Sequence, residues 1–215
     1  MDSIPFAFCD AVVGTIKDLP RVDIPFRDAK WNKALQDHSA NRKCFQLYVG
    51  FSDGKWSCEL FNLKCRSIAD LTTLLALVGR KYLRINYIEV SAGWCFNNTS
   101  KKELHMLIES LNPFLNFPKL LLDDFYSKIP DSDVAELLSL FAKINIFSFF
   151  SCCNGRRALE FAKQLMQQDT LVKKITTLCA RNLLADEIAA YRATGRVVYV
   201  KTRPPTYGTS LRFVR

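Results

Sequence analysis

An α/β fold, built as a run of βα units with a hairpin on its N-terminal side, is what three observations predict. Between about Lys119 and Thr202, short apolar runs alternate four times with segments whose apolar residues recur at helical spacing. The same alternation extends upstream, with a helix-type run from Ser67 and a strand-type run from Tyr82. Finally, Cys44 to Phe51 and Trp56 to Phe61 are β-rich runs separated by Ser52-Asp53-Gly54-Lys55. Asp-Gly between two such runs is a strong short-range hairpin signal.

In chain order, residues 3–17 read as a helix. Ser3 stands where a cap belongs, Pro5 suits an early position, and Phe8, Cys9, Val12, Val13 and Ile16 share an apolar face. Asp18 to Arg27 holds Pro20 and Pro25 and reads as a turn or linker, because proline removes a donor and disfavours helix in the residue before it. A second short helix is expected over Asp28 to His38, with Trp31, Ala34, Leu35 and His38 on one side. His38 reads as a capping or partly buried residue, since no carboxylate and nucleophile can be identified around it. After the hairpin, Ser67 and Asp70 open a helix through Leu71, Leu74, Leu75 and Val78, with Gly79 as its left-handed cap. A strand from Tyr82 to Val90 follows, then a helix opened by Ser100 and Glu103.

The later strands are expected at Leu120 to Phe125, Asn145 to Cys152, Val172 to Cys179 and Arg196 to Thr202. The helices between them run through Val134, Leu137, Leu138 and Phe141, then Ala158, Phe161, Ala162 and Leu165, then Leu184, Ile188 and Tyr191. Asp133 with Glu136 has the spacing of a capping box, and Asn154 and Asn182 precede their helices as caps. Irregular units of roughly 20 to 30 residues, each covering the apolar face of its neighbour, are those of a leucine-rich-repeat-like βα solenoid. An ordinary doubly wound sheet fits the alternation almost as well. The solenoid is favoured because strands such as Lys173 to Cys179 mix polar and apolar positions, whereas a strand covered on both faces reads as a nearly continuous apolar run. One open sheet face is implied. In Asn145 to Phe150, Ile146, Phe147, Phe149 and Phe150 put aromatics on both faces, which fits packing under a loop or an exposed contact patch.

Two segments follow: a helical segment over 1–43, and a hairpin plus βα-repeat domain over 44–215 with a basic C-terminal end. With 215 residues, 49% of them hydrophobic, the chain is long enough for one substantial core. No apolar run reaches the roughly 18 residues of a membrane helix, and Asp2 stands where a signal peptide carries a base, so the expected location is cytoplasmic or nuclear. The eight cysteines lack a CxxC pair and only two histidines are present, which reads as small buried thiols in a reducing compartment, with no metal site. Glycines are placed so that neither GxGxxG nor a P-loop exists. Asp123-Asp124 are adjacent on a strand and point to opposite faces, so they do not converge on one ion. No catalytic residue and no cofactor are expected.

Charge is unevenly spread. Lys and Arg outnumber Asp and Glu 16 to 12 over residues 1–120, stand 8 to 9 over 121–191, and 6 to 0 over 192–215. Arg192, Arg196, Lys201, Arg203, Arg212 and Arg215 make a basic end that reads either as a solubilising surface or as a face attractive to nucleic acid.

The opening Met1 to Val12, followed by Trp31, His38, Asn41-Arg42, Gly50-Phe51 and Gly54-Lys55-Trp56-Ser57, resembles a large nematode family of F-box-like, F-box-associated proteins. The resemblance implies an adaptor: an N-terminal helix engaging a Skp-type linker of a cullin ubiquitin ligase, and a repeat region selecting a substrate protein. Ile4-Pro5 stand for the Leu-Pro that opens an F-box, with Val12, Val13 and Ile16 as its first apolar helix. The expected partner-binding residues are therefore Ile4, Pro5, Phe8, Val12 and Ile16. The expectation is a non-enzymatic protein-interaction scaffold, with a nucleic-acid-binding module using the basic end as its alternative.

Overall fold

A computed structural model describes residues 4–16, 19, 27–62, 68–69, 80–93, 98–123, 129–142, 144, 146, 148–151, 156–167, 174–177, 184–195, 197–203 and 208–214. Their architecture is mixed α/β, with six α-helices and one open sheet. The helices are α1 (Phe6–Thr15), α2 (Ala29–Asn41), α3 (Lys101–Leu111), α4 (Asp131–Phe141), α5 (Arg156–Gln167) and α6 (Ala185–Ala193). The strands are β1 (Lys43–Ser52), β2 (Lys55–Asn62), β3 (Ile68–Ala69), β4 (Leu83–Ala92), β5 (Asn98–Thr99), β6 (Leu115–Asp123), β7 (Ser148–Ser151), β8 (Lys174–Thr177), β9 (Val197–Arg203) and β10 (Gly208–Val214).

The sheet runs in the order β3-β2-β1-β4-β6-β7-β8-β10-β9, with β5 paired to β2. Strands β1, β4, β6, β7 and β8 are mutually parallel, and β2, β10 and β9 join antiparallel at the two sides. The β1–β2 hairpin closes through Asp53 (φ 51°) and Gly54 (φ 75°), two successive left-handed residues as a type I′ turn requires. Ser100 opens α3 with the full reciprocal cap: its hydroxyl accepts from the Glu103 amide and its own amide donates to the Glu103 carboxylate.

Several expectations are corrected. Asp133 and Glu136 form no capping box; α4 starts two residues earlier, at Asp131, and the Pro130 carbonyl accepts from the Asp133 and Val134 amides. The two carboxylates reach sideways instead, to Lys101 on α3. Ile68–Ala69, expected inside a helix, is a strand paired to β2. The rest of that expected helix, and the caps Ser3, Asn154 and Asn182, lie outside the described residues. Strand β9 runs in the direction of β8 but is not its neighbour. The last residues fold back as β10, which inserts between β8 and β9.

The core follows from strand alternation. Phe45, Leu47, Val49 and Phe51 on β1, Ile85, Ile88 and Val90 on β4, Leu120 and Leu122 on β6, Phe149 on β7, Ile175 on β8 and Leu211 on β10 are buried. They form one cluster with the apolar faces of α3 to α6: Leu104 and Ile108, Leu137 and Phe141, Phe161 and Leu165, Ile188 and Tyr191. Phe149 meets Phe161 edge-to-face at 5.1 Å, a geometry that adds to simple burial. A second, separate cluster of Cys9, Val13, Ala34 and Leu35 joins α1 to α2.

Candidate interaction surfaces

The alternate strand positions, those facing away from this core, are mostly half-buried or exposed and line up in register into rows. One row runs Glu59, Tyr48, Glu89, Leu121, Phe150, Thr176, Ser210 from β2 to β10. The next, two residues along each strand, runs Phe61, Gln46, Tyr87, Lys119, Ser148, Lys174, Arg212 and ends at Tyr199 on β9. Lys119, Lys174 and Arg212 are exposed, Phe150 is 38% exposed and Tyr199 62%. Across β8 and β10 the Thr176 and Ser210 hydroxyls lie 3.1 Å apart and hydrogen-bond. This face is wide and mostly polar, with Leu121 and Phe150 as an apolar step in the middle of the first row.

Its charge is segregated. On the β2–β4 side stand Glu59 and Glu89, with Asp123 at the end of β6. Burial pushes the Glu89 carboxyl above its ordinary range, the Asp123 carboxylate adds to that, and a hydrogen bond with Tyr87 opposes it. Burial raises the Glu59 carboxyl as well. Tyr48, whose hydroxyl donates to Gln46 Oε1 at 2.7 Å, is raised by burial and by the Glu89 charge. On the β6–β10 side Lys119, Lys174 and Arg212 outnumber Asp123, which shares β6 with Lys119.

The second surface is α1. Cys9 and Val13 face α2, which leaves Ile4 (41% exposed), Pro5 and Phe8 (54%) outward, with Val12 and Ile16 half-buried. Phe8 meets Trp31 edge-to-face at 6.3 Å. The helix is held to the rest of the protein at its C-terminal end, where unpaired carbonyls carry partial negative charge. Arg84 on β4 donates from Nη2 to the Gly14 carbonyl at 2.9 Å, and Arg42 donates from Nη2 to that of Val13 at 2.8 Å and from Nη1 to that of Ile16. Desolvation lowers both guanidinium pKa values.

His38, 1% exposed, sits inside this joint. Its Nδ1 lies 3.3 Å from Arg42 Nη2, its Nε2 lies 3.3 Å from Asp10 Oδ1, and its ring meets Tyr82 edge-to-face at 5.2 Å. A guanidinium only donates, so Nδ1 is the acceptor and the ring proton belongs on Nε2, facing Asp10. Desolvation and the Arg42 charge lower the His38 pKa, against the opposing pull of Asp10. Lys81 also reaches Asp10 at 2.8 Å. The joint is a place for a neutral histidine.

The six basic residues expected at the C-terminal end fall on more than one element. Arg192 is on α6 and donates to the Val198 carbonyl at 3.2 Å. Lys201 and Arg203 lie on β9, Arg212 stands in the open-face row, and Arg196 and Arg215 lie outside the described residues. Sequence reasoning missed Lys119, Lys174, Glu59 and Glu89. The usable signal was the polar residue at every second strand position.

Among the described residues no group of three or more His, Cys, Asp or Glu side chains could hold a metal ion, and no helix is long and apolar enough to cross a membrane. No family model matches the chain, and neither a curated protein nor a solved structure matches it.

Proposed function

We propose that the protein is a non-enzymatic interaction scaffold that binds a macromolecular partner across the open sheet face. The observation that carries this reading is one-sided burial. Every described helix from α3 onward packs in the core under one face, while the other displays Phe150, Leu121 and Tyr199 among charged residues. Exposed aromatics within a polar frame are characteristic of contact surfaces. The titratable clusters on the helix side are ties between elements: Lys101 with Asp133 and Glu136, Lys163 with Glu187 at 2.7 Å.

In the finer reading, the βα units stack as an irregular leucine-rich-repeat-like solenoid. Its support is that β4, β6, β7 and β8 neighbour one another in chain order. Crossovers of one hand, all stepping the same way, put successive helices on the same side. In the same reading α1 is the ligase-facing element of a substrate adaptor, with Ile4, Pro5 and Phe8 on its outer side engaging a Skp-type linker. Glu59, Glu89 and Asp123 on the sheet face speak for a protein partner over a nucleic acid, since they repel phosphates.

Co-purification from cells of the full chain, Phe8→Asp and Phe150→Asp tests both surfaces. The Skp-type linker is expected with the full chain and Phe150→Asp, and lost with Phe8→Asp. If the linker is absent from all three, the ligase assignment fails. If Phe150→Asp retains every protein that the full chain retains, the sheet face is not the recognition surface.

A further inference from the structure

The open sheet face carries an arrangement that its own fold does not satisfy. Lys174 and Arg212 are directly opposite each other on the antiparallel β8–β10 pair, and Lys119 stands in the same row two strands away. Like charges directly opposite on neighbouring strands are destabilising. Among the described residues, no carboxylate pairs with any of the three, although Glu89 and Asp123 are on the same face. Lys119 has Glu89 as a diagonal neighbour on β4 and Asp123 on its own strand, whereas Lys174 and Arg212 face each other, beside an apolar step made by Leu121 and Phe150 in the adjacent row.

Resting on the scaffold reading, we propose that this half of the face receives an acidic amphipathic helix of a partner protein, lying across the strands. Spacing selects the helix. Neighbouring strands are about 4.8 Å apart, so Lys174 to Arg212 is one such step and Lys119 to Arg212 three, about 14 Å. A helix rises 1.5 Å per residue, so carboxylates at i, i+3 or i+4, and i+10 reach Arg212, Lys174 and Lys119 in turn. The two rows are about 7 Å apart along the strands. An apolar stripe on the flank of the same helix therefore rests on Phe150 and Leu121 while its acids reach the cations. Continued towards β4 and β2, the helix meets Glu89 and Glu59, and a basic end suits it there. The recognised feature is a helix with acid at one end, base at the other and an apolar edge. A single-stranded nucleic acid carries the same sign on every nucleotide and cannot match both halves.

The test is selection of a phage-displayed library of 20-residue helical peptides, with surface positions varied among Glu, Gln, Lys and Leu, on the full chain and on Lys174→Glu/Arg212→Glu. Enrichment of Glu at i, i+3 or i+4, and i+10 with a neighbouring Leu stripe is expected on the natural chain. Exchange of Glu for Lys at i and at i+3 or i+4 is expected on the reversed variant, with Glu kept at i+10 facing Lys119, and with at least a tenfold loss in affinity of the original peptide. Melting curves and a Lys174→Gln/Arg212→Gln variant separate loss of charge from loss of fold; the neutral variant is expected to weaken binding without inverting the preference. No charge enrichment, or Glu enrichment at i and at i+3 or i+4 that survives reversal, overturns the proposal. So does a labelled 20-nucleotide oligothymidylate that binds more tightly than the peptides and loses affinity in the reversed variant. If charge reversal does nothing while Phe150→Asp still loses its cellular partners, the acidic-helix inference falls and the scaffold reading stands.

Discussion

The two parts of the chain cohere by different physics. From β1 onward the protein is held by an apolar layer in which Phe45, Leu47, Ile85, Leu120, Phe149 and Ile175 have almost no exposure. Among the described residues the α1–α2 pair shares a core of four buried apolar residues. Arg42, at the end of α2, binds the carbonyls of α1, and the pair is joined to the body by Arg84 on the Gly14 carbonyl and by Lys81 on Asp10, which also faces His38. Burial of apolar area is insensitive to pH and tolerates volume-conserving exchanges of its members. Hydrogen bonds from buried guanidinium groups are strong where made and costly where broken. The N-terminal pair is therefore the part expected to loosen with acid or with the loss of one donor, while the body stays folded.

The largest effect that would sharpen this contrast is expected in the body. Phe149→Ala leaves a cavity facing Phe161, and a loss of about 3–5 kcal/mol is expected in urea unfolding, spread over the whole molecule. Uniform loss of amide protection from β1 to β10 agrees with one apolar core; loss confined to β7 breaks that picture.

A smaller and local effect is expected at the joint. Arg84→Met keeps most of the stem's packing and removes the donors to the Gly14 carbonyl. A local loss of about 1.5–3 kcal/mol is expected, the range for hydrogen bonds to charged groups. It should be read as faster amide exchange in α1 and α2 with β6 to β8 unchanged. Equal change in both regions shows that the two are one cooperative unit.

The mildest effect is expected from pH. The folded His38 pKa lies below its ordinary value, so its contribution to stability is fully present above about pH 6.5, the unperturbed histidine pKa. It is lost as pH falls through the lower, folded value. On protonation Nδ1 becomes a donor facing Arg42, which cannot accept. Amide exchange in α1 and α2 should accelerate on acidification before that in β4, and His38→Gln should flatten the dependence. A pH response equal in all elements contradicts the localisation.

The pattern of residues was enough for the elements whose signals are local. Asp53-Gly54 between two β-rich runs specified the hairpin and its register, and Ser100 with Glu103 specified the start of α3, because a turn and a cap are satisfied by residues within four positions. The one-sided alternation of Lys174-Ile175-Thr176 likewise carried the open face. Non-local pairing was not legible. Nothing in Gly208 to Val214 states that it leaves β9, turns back and hydrogen-bonds β8, since the choice of neighbour depends on which sheet edge is free once the rest has assembled.

The charged row has the same cause. Lys119, Lys174 and Arg212 are dozens of residues apart in sequence, and counting charges by segment assigned only Arg212 to a basic region. Their alignment arises from the parallel register of β6, β7 and β8 and the antiparallel register of β10. By itself the sequence determined that this chain makes βα units with one polar strand face, because periodicity and capping are properties of neighbouring residues. Which polar residues share that face as neighbours, and that Lys174 stands opposite Arg212, was decided by tertiary register alone. Register is a relation between strands, and no stretch of chain encodes it singly.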